Sequence, residues 1–289
     1  MPNLGVRLSA GAAFLLGALS STLGQDRSQY TLFNPVPDSQ LRELITNRPD
    51  ITESPFTVDA GHVQFETTLF GYTRSARDAD GAVSDSYEFG TTNIRVGLTS
   101  NTEVALVWQP YGIVLTRGGL DGTVRRSGIG GLELRGTVNL WGNDTFEKPG
   151  STALGLLPFV VLPTDRNNGV SPEFTESGLL VPFAIKLPQK FELATNVGVT
   201  WTREDPATGY HAEYLGSASL AYEWTSKLST YYEVAGRFHT EDPRGDVVVL
   251  STGVTYQLGK NVQLDAGVVF GVTPAADRIN PFTGLSVRF

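Results

Sequence analysis

The stretch "FELATNVGVTW", residues 191–201, alternates between two kinds of side chain along its whole length. Large apolar side chains such as Phe191, Val197 and Trp201 recur at every second position, and polar or small ones such as Glu192 and Asn196 lie between them. Successive side chains of a β-strand point to opposite faces of the sheet. The stretch therefore predicts a strand with one apolar face and one polar face, and residues 63–73 and 212–224 repeat the pattern.

The same alternation occurs throughout the chain after His62. Strand-like segments begin near residues 62, 87, 103, 129, 152, 178, 191, 211, 229, 247, 262 and 282. Their connections alternate between short ones, such as "TSNT" and "GKN", and long polar ones, such as "TDRNNGVSPEFTES". This arrangement predicts an all-β fold, an up-and-down antiparallel β-barrel of about twelve strands with short turns at one end.

The length of the segments and the positions of their aromatic residues indicate that the apolar face meets lipid. Phe191 and Trp201 lie ten residues apart on one face, as do Tyr214 and Trp224. Ten residues of a tilted strand rise about 25 Å, the height of the lipid-facing band between the two aromatic girdles of a transmembrane barrel. "GLSVRF" places Phe289 on the apolar face of the last segment. A terminal aromatic of this kind resembles the signal read by the barrel-assembly machinery, and we expect that machinery and outer-membrane lipid as partners.

Composition excludes several classes of function. The 289 residues contain no cysteine, so the chain has no thiolate nucleophile, disulfide or cysteine-based zinc site. A net charge of -8 without a basic stripe argues against nucleic acid. His62, His211 and His239 stand outside any catalytic motif. We expect no enzyme, no cofactor and no metal site, and we interpret acidic loops such as "SARDADGAVSD" and "TEDPRGD" as solvated rather than calcium-binding.

The chain divides into three parts. Arg7, the apolar run "LSAGAAFLLGAL" and the small residues after it predict a secretory signal peptide over residues 1–24. Residues 25–61 are rich in proline and polar side chains and are predicted to form a periplasmic arm or plug. Residues 62–289 are predicted to form the barrel. An exported barrel of this kind belongs in the outer membrane of a Gram-negative cell.

One group of motifs resembles a known family. "RPDITESPFTVDAGHVQFE", "NIRVGLTSNTEVAL", "GIGGLELRGTVNLWG", "TALGLLPFVVLPT" and "GLLVPFAIKLP" are similar to the MetA-pathway of phenol degradation family of outer-membrane proteins, from about residue 46 to the end. The resemblance implies an outer-membrane protein suspected of transport and implies no particular substrate. Gly131 departs from the family pattern, in which many members have an aspartate.

The cluster of Arg48, Asp50 and Glu53 just before the first strand has two interpretations. It could act as a gate or ligand clamp, or it could hold an extended segment in the barrel through ion pairs. We favour the structural interpretation, and the two are compatible because a plug is also a gate. We expect Arg48 to pair with lumen glutamates, and Asp50 or Glu53 to meet Arg95, Arg135 or Arg288.

Parity places a ladder of mixed charge inside the barrel, because charges facing lipid are costly. Its predicted members are Glu66, Glu133, Glu192, Glu213, Glu223, Glu233, Asp265, Arg95, Arg135, Lys186, Arg237 and Arg288. Such a ladder can line a narrow pore or fill it with salt bridges. The sequence thus favours a channel or transporter for passive uptake of small solutes, with aromatic or hydrophobic ones as candidates. The alternative is a structural or adhesion-type outer-membrane barrel with a closed lumen.

Overall fold

The chain forms one antiparallel β-barrel that surrounds its own N-terminal segment. This computed structural model describes residues 27–119, 122–203, 209–240 and 245–289. The predicted signal peptide, residues 1–24, lies outside the described residues. No helix in these ranges is long and apolar enough to cross a bilayer.

Twelve strands, β1 to β12, make up the wall. Three of them are interrupted once, so each of these consists of two collinear segments. The bounds are β1 Val63–Arg74, β2 Val83–Phe89 and Thr91–Gly97, β3 Thr102–Trp108 and Tyr111–Arg117, β4 Thr123–Gly128 and Leu132–Trp141, β5 Thr152–Leu162, β6 Glu176–Lys186, β7 Phe191–Thr202, β8 His211–Glu223, β9 Leu228–His239, β10 Val247–Gly259, β11 Val262–Gly271 and β12 Ile279–Arg288. Short 3-10 turns occur at Asp38–Gln40 and Pro188–Lys190.

Each strand pairs with its neighbours in sequence, and β12 pairs with β1 to close the wall. At this seam Gln64 lies opposite Arg288 and Arg74 lies opposite Ile279. Closure leaves the sheet without the long unpaired edge that would be untenable in hydrocarbon. The predicted fold, a twelve-stranded up-and-down antiparallel barrel, is confirmed.

The distribution of side chains is the inverse of that in a soluble protein. Outward residues such as Val197, Tyr232 and Tyr214 are 62%, 67% and 58% exposed, although they are apolar or aromatic. The most deeply buried side chains include Arg95, Gln64, Glu66 and Glu213, all of which are polar or charged. This pattern is typical of a barrel that faces lipid outside and carries polar groups inside.

Three strand interruptions lie close together in the wall. Gly90 has a φ of +70°, which favours glycine, and Pro110 cannot donate a ladder hydrogen bond. At Gly131 a Cβ atom would lie 2.7 Å from Cδ of Pro172, so the loop after β5 leaves little room for a larger residue there. The sequence pattern did not reveal these interruptions because the alternation continues on either side of them.

The wall is higher on one side than on the other. β5 ends at Leu162, opposite Leu132, so the first segment of β4 has only β3 as a strand partner. The side chains of Asn168 and Thr164 donate hydrogen bonds to the carbonyls of Ile129 and Gly130. Loop 163–175 therefore contacts the wall beside β4. Because short connections face the periplasm in outer-membrane barrels, we call the end with short turns periplasmic and the other end extracellular.

Candidate functional site: the occupied lumen

The segment before β1 folds back against and into the barrel. Residues 27–46, which we call the cap, lie at the periplasmic end, where the amide of Leu32 donates to the carbonyl of Leu98 at 2.8 Å. Residues 47–58, which we call the plug, cross the lumen. Most of its anchoring contacts use polar or charged atoms of the inward faces of the strands. Asn143 of the connection after β4 binds Thr57, and Phe56 packs against Ala153 and Ala184.

Asp59, the residue that follows the plug, joins the cap to the barrel wall. Its fully buried carboxylate pairs with Arg27 at 3.0 Å, with Arg288 at 3.3 Å and with Arg42 at 3.5 Å. Arg288 belongs to β12, so this cluster ties the cap to the barrel seam. Tyr30 and Val36 add a small apolar cluster with Ala60.

Arg48 anchors the first part of the plug to β11 and β1. Its guanidinium pairs with Asp265 at 2.8 Å and donates to the Thr68 hydroxyl at 2.6 Å. The structure thus gives Arg48 an aspartate instead of the predicted glutamate, because nearby Glu66 is already bound to Arg95. At Gly284 on β12 an added Cβ atom would collide with the Arg48 guanidinium, so a larger residue there would require the guanidinium to move.

Thr52 anchors the middle of the plug to β9 and β8. Its amide and its hydroxyl both donate to the Glu233 carboxylate, each at 2.7 Å. The Thr52 hydroxyl also lies 2.8 Å from the Ser217 hydroxyl, and the amide of Ile51 donates to Glu233 at 3.0 Å. Glu233 therefore serves as an acceptor for the plug backbone and has no arginine partner among the described residues.

Glu53 reaches the opposite wall. Its carboxylate pairs with Arg135 at 2.6 Å, and Arg135 also pairs with Glu133 at 2.7 Å. The amide of Glu53 donates to the Asn196 side chain at 2.6 Å. The plug is thereby bound to β4 and β7 through a single residue.

Arg95 is the largest fully buried side chain among the described residues. It pairs with Glu66 at 2.8 Å and with Glu103 at 2.9 Å, and it donates to the Phe56 carbonyl at 2.7 Å. The same two glutamates accept the amides of Asn47 and Val58 at 3.0 and 2.7 Å. The wall ion pairs and the two ends of the plug therefore form one connected network.

Glu53 fulfils the expectation that it or Asp50 would meet one of the lumen arginines, and Asp50 itself meets no arginine among the described residues. The neighbours of Asp50 are Ser219 and the carboxylate of Glu233. Burial, followed by the like charge of Glu233, raises the pKa of Asp50 to about 8. Asp50 is therefore protonated at neutral pH while the plug is docked.

A second charged cluster occupies the extracellular part of the lumen. Glu213 pairs with Arg237 at 3.0 Å and lies 3.0 Å from His239 and 3.5 Å from His211. None of these contacts involves the plug. Among the described residues, no group of three or more histidine, aspartate or glutamate side chains is arranged to hold a metal ion.

The remaining predicted lumen residues lie near the periplasmic end. Glu192 and the plug line a cavity of about 220 Å³. Lys186 lines a second cavity of about 620 Å³ between the cap and the connection after β4. Glu223 is a correction: its half-exposed carboxylate lies 3.6 Å from Lys190 at the rim and does not line the lumen.

Sequence reasoning missed two acidic residues that the site needs, Glu103 and Asp59. Glu103 has the inward parity of its strand, between the outward Thr102 and Val104, so parity could have found it. Asp59 belongs to the "VDAGH" motif, but nothing in the local pattern indicates that three arginines distant in sequence converge on it.

Comparison with known proteins agrees with this architecture. A family model described as "Putative MetA-pathway of phenol degradation" matches residues 46–289, which include the plug and the whole barrel. No curated protein matches the sequence significantly.

Two solved structures of bacterial proteins illustrate the similar fold. The COG4313 outer membrane channel from Pseudomonas putida F1 has a TM-score of 0.59 at 12% identity, covering 79% of this chain and 95% of that chain. The transport unit of the autotransporter AIDA-I from Escherichia coli has a TM-score of 0.51 at 11% identity, covering 85% and 92%. At such identities the likeness shows the fold alone.

Proposed function

The chain belongs to the MetA-pathway of phenol degradation family, and we propose that it is an outer-membrane channel for passive uptake of small solutes, closed at rest by its own plug. The outer-membrane location is supported by the lipid-facing apolar band and by the fold of the similar structures. No catalytic role is proposed. His62 lies between the carbonyls of Val36 and Phe289, and the other two histidines face Glu213.

The observation that carries the proposal is how the plug is held. Its polar anchors come from eight strands around the lumen and are hydrogen bonds and ion pairs to side chains. Phe56 adds an apolar contact with Ala153 and Ala184, and the described residues of the plug join no strand ladder. The wall partners are Glu66, Thr68, Arg95, Glu103, Arg135, Asn139, Asn196, Ser217, Glu233 and Asp265. A segment held by polar side chains can leave while the barrel wall remains closed.

The size and chemistry of the solute follow from the lumen and the family. Twelve strands enclose a modest lumen, so an unplugged barrel would admit small molecules. The family description refers to phenol degradation, which supports aromatic solutes as candidates.

A second candidate function is a structural or adhesion-type barrel with a permanently closed lumen. The dense network around Arg95 favours this second candidate, because fully buried ion pairs can hold a plug in place without taking part in transport. Conductance distinguishes the two candidates, since a permanently closed barrel gives no current steps.

The test is single-channel recording in planar bilayers with the wild-type chain and with a variant lacking residues 25–56. The deletion removes the plug up to Phe56 and leaves the wall pairs of Arg95 with Glu66 and Glu103 intact. We expect the deletion to open a steady conductance well above the wild-type mean. Heat-modifiable migration in electrophoresis checks that the variant still forms a closed barrel.

Solute preference is tested by liposome flux with two anions of similar size. We expect the opened barrel to carry 4-hydroxybenzoate faster than cyclohexanecarboxylate, which lacks an aromatic ring. Equal rates would contradict the proposed preference for aromatic solutes but would not contradict the proposed channel. Unchanged conductance in a correctly assembled deletion variant would contradict the channel itself.

A further inference from the structure

The outward surface of β1 to β4 changes character above the lipid-facing band. Phe70, Phe89 and Tyr111 form a row of aromatic rings on neighbouring strands, with centroids 5.6 and 6.3 Å apart. Tyr72 and Tyr87 form the next row toward the extracellular end, 5.3 Å apart. Rows of this kind mark the level of the interface in transmembrane barrels.

Three arginines continue this outward face beyond the aromatic rows. Strand register aligns Arg74 with Asp85, Asp85 with Leu115, and Leu115 with Arg125 across four strands. Arg117 lies two residues farther along β3 than Leu115. With about 4.8 Å between strands, Arg74 and Arg125 are about 14 Å apart, and the row lies about 7 Å beyond the two tyrosines.

Asp85 orients two of these arginines. Its buried carboxylate lies 2.6 Å from Arg117 and 3.4 Å from Arg74, and it accepts a hydrogen bond from Tyr72 at 2.6 Å. The arginine side chains remain 50% and 53% exposed, so most of their N–H donors face outward. Arg125 is also exposed. The cluster therefore carries a net charge of +2 on a chain whose net charge is -8.

Lysine is confined to one end of the molecule, whereas arginine occurs at both ends. All five lysines, Lys148, Lys186, Lys190, Lys227 and Lys260, lie at or beside the short periplasmic connections. In the described part of the extracellular half the basic side chains are arginines. Arginine binds phosphate oxygens in a bidentate manner, whereas lysine acts as a point charge.

We propose that Arg74, Arg117 and Arg125 form a binding site for the phosphorylated headgroup of the outer-leaflet glycolipid, the lipid A part of lipopolysaccharide. The site faces away from the lumen and lies just beyond the aromatic level, where a glycolipid with its acyl chains in the membrane presents its phosphates. Charge complementarity and the bidentate geometry of arginine select this anionic occupant. The inference rests on the proposed outer-membrane location and is independent of channel activity.

The test is native mass spectrometry of the full chain in detergent with diphosphorylated lipid A. We compare wild type with R74Q/R117Q/R125Q and with K190Q/K227Q/K260Q, which removes the same three charges at the periplasmic end. We expect the arginine variant to bind lipid A about tenfold more weakly, a change that corresponds to the loss of a few exposed charge pairs. The lysine variant should bind like wild type.

Two further measurements keep the result interpretable. Wild type and the arginine variant should bind dephosphorylated lipid A with equal affinity. Wild type should bind phosphatidylglycerol more weakly than it binds lipid A. Because the exposed Arg125 can be changed without affecting the wall, R125E alone should weaken binding even if the triple variant assembles poorly. Equal affinity of wild type, R125E and the triple variant, or equal affinity of wild type for phosphatidylglycerol, would overturn the proposal. Absence of conductance with this binding intact would count only against the channel.

Discussion

At the scale of single residues, the segment before β1 buries four charged residues, Arg48, Asp50, Glu53 and Asp59. Of these four, Asp50 alone has no partner of opposite charge in the described part of the chain. Arg48 meets Asp265, Glu53 meets Arg135, and Asp59 meets three arginines. Asp50 lies beside Glu233, whose oxygens are used by the plug backbone. Two carboxylates in one enclosed place do not both ionise readily, so the docked plug retains a proton.

Plug docking should therefore depend on pH. A released Asp50 exposed to solvent has its ordinary pKa of 3.8, whereas the pKa of docked Asp50 is about 8. Between these values the docked state binds a proton that the released state has lost, so docking is favoured at low pH and weakens as pH rises toward 8. We expect a larger mean current at pH 8.5 than at pH 5.5 in bilayer recordings.

Asp50→Asn tests this assignment because asparagine is neutral at every pH. The variant should remain mostly closed at pH 8.5 and lose most of the pH response. Glu53 should account for the small pH response that remains, because burial also raises the pKa of Glu53 although Arg135 acts in the opposite direction. Asp38→Asn, in the exposed turn of the cap, serves as the control and should respond like wild type. A current independent of pH in the wild-type channel would contradict the role of Asp50.

Two glutamate substitutions, one in the lumen and one at the rim, test how much the buried network contributes to the free energy of unfolding. Glu66→Gln removes a negative charge beside Arg95. It also replaces one carboxylate oxygen with an NH2 group, which cannot accept the hydrogen bonds that Asn47 and Gln64 donate to Glu66. We expect a loss of about 3 kcal/mol in the free energy of unfolding. Glu223→Gln makes the same change at the rim, where both partners are about half-exposed, and should cost less than about 1 kcal/mol. Urea unfolding in detergent, followed by tryptophan fluorescence, measures both, and equal losses would contradict the enclosure of Glu66.

At the scale of strands, inward and outward positions should respond oppositely to charge. Val197 of β7 points outward and is 62% exposed, while Ala194 of the same strand lines the 220 Å³ cavity. Val197→Arg should cost about 2–4 kcal/mol at the level of hydrocarbon and reduce insertion into liposomes. Ala194→Arg should insert normally, because its side chain enters the polar lumen. Equal insertion of the two variants would mean that the face assignment of β7 is wrong.

Strand alternation predicted the barrel because every strand meets the same two environments, lipid outside and polar atoms inside. Parity likewise placed Glu66, Arg95 and Arg135 in the lumen, since it depends only on neighbours in sequence. It could not predict which charges meet. Arg48 lies 217 residues from Asp265, and their contact depends on closure of the barrel and on the space left by Gly284. The space available at Gly131 likewise depends on Pro172 of a distant loop.

At the scale of the whole molecule, the plug joins strands from all sides of the barrel and so couples closure of the pore to the packing of the lumen. Its anchors are distributed, so no single contact holds it. Release then requires many hydrogen bonds to exchange with water together, which favours few discrete states over gradual widening. We expect current steps rather than a continuous change.

An engineered disulfide tests whether this movement is required for conduction. The hydroxyls of Thr52 in the plug and Ser217 in β8 are 2.8 Å apart, close enough for two cysteine sulfurs in their places to bond with little movement. The chain has no cysteine, so Thr52→Cys/Ser217→Cys adds the only thiols. We expect oxidation to suppress current steps in bilayer recordings and a reductant to restore them.

Ser84→Cys/Thr116→Cys is the matched control, because these two hydroxyls are also 2.8 Å apart but belong to the wall strands β2 and β3. Its disulfide should form equally well, as judged by loss of free thiols, and leave the current unchanged. Because both variants carry the same number of thiols and the same bond, a difference between them isolates the movement of the plug from any general effect of oxidation. Failure of the Thr52 and Ser217 pair to bond while the wall pair bonds would contradict docking of the plug. Formation of both bonds with unchanged currents would mean that solutes pass beside a fixed plug.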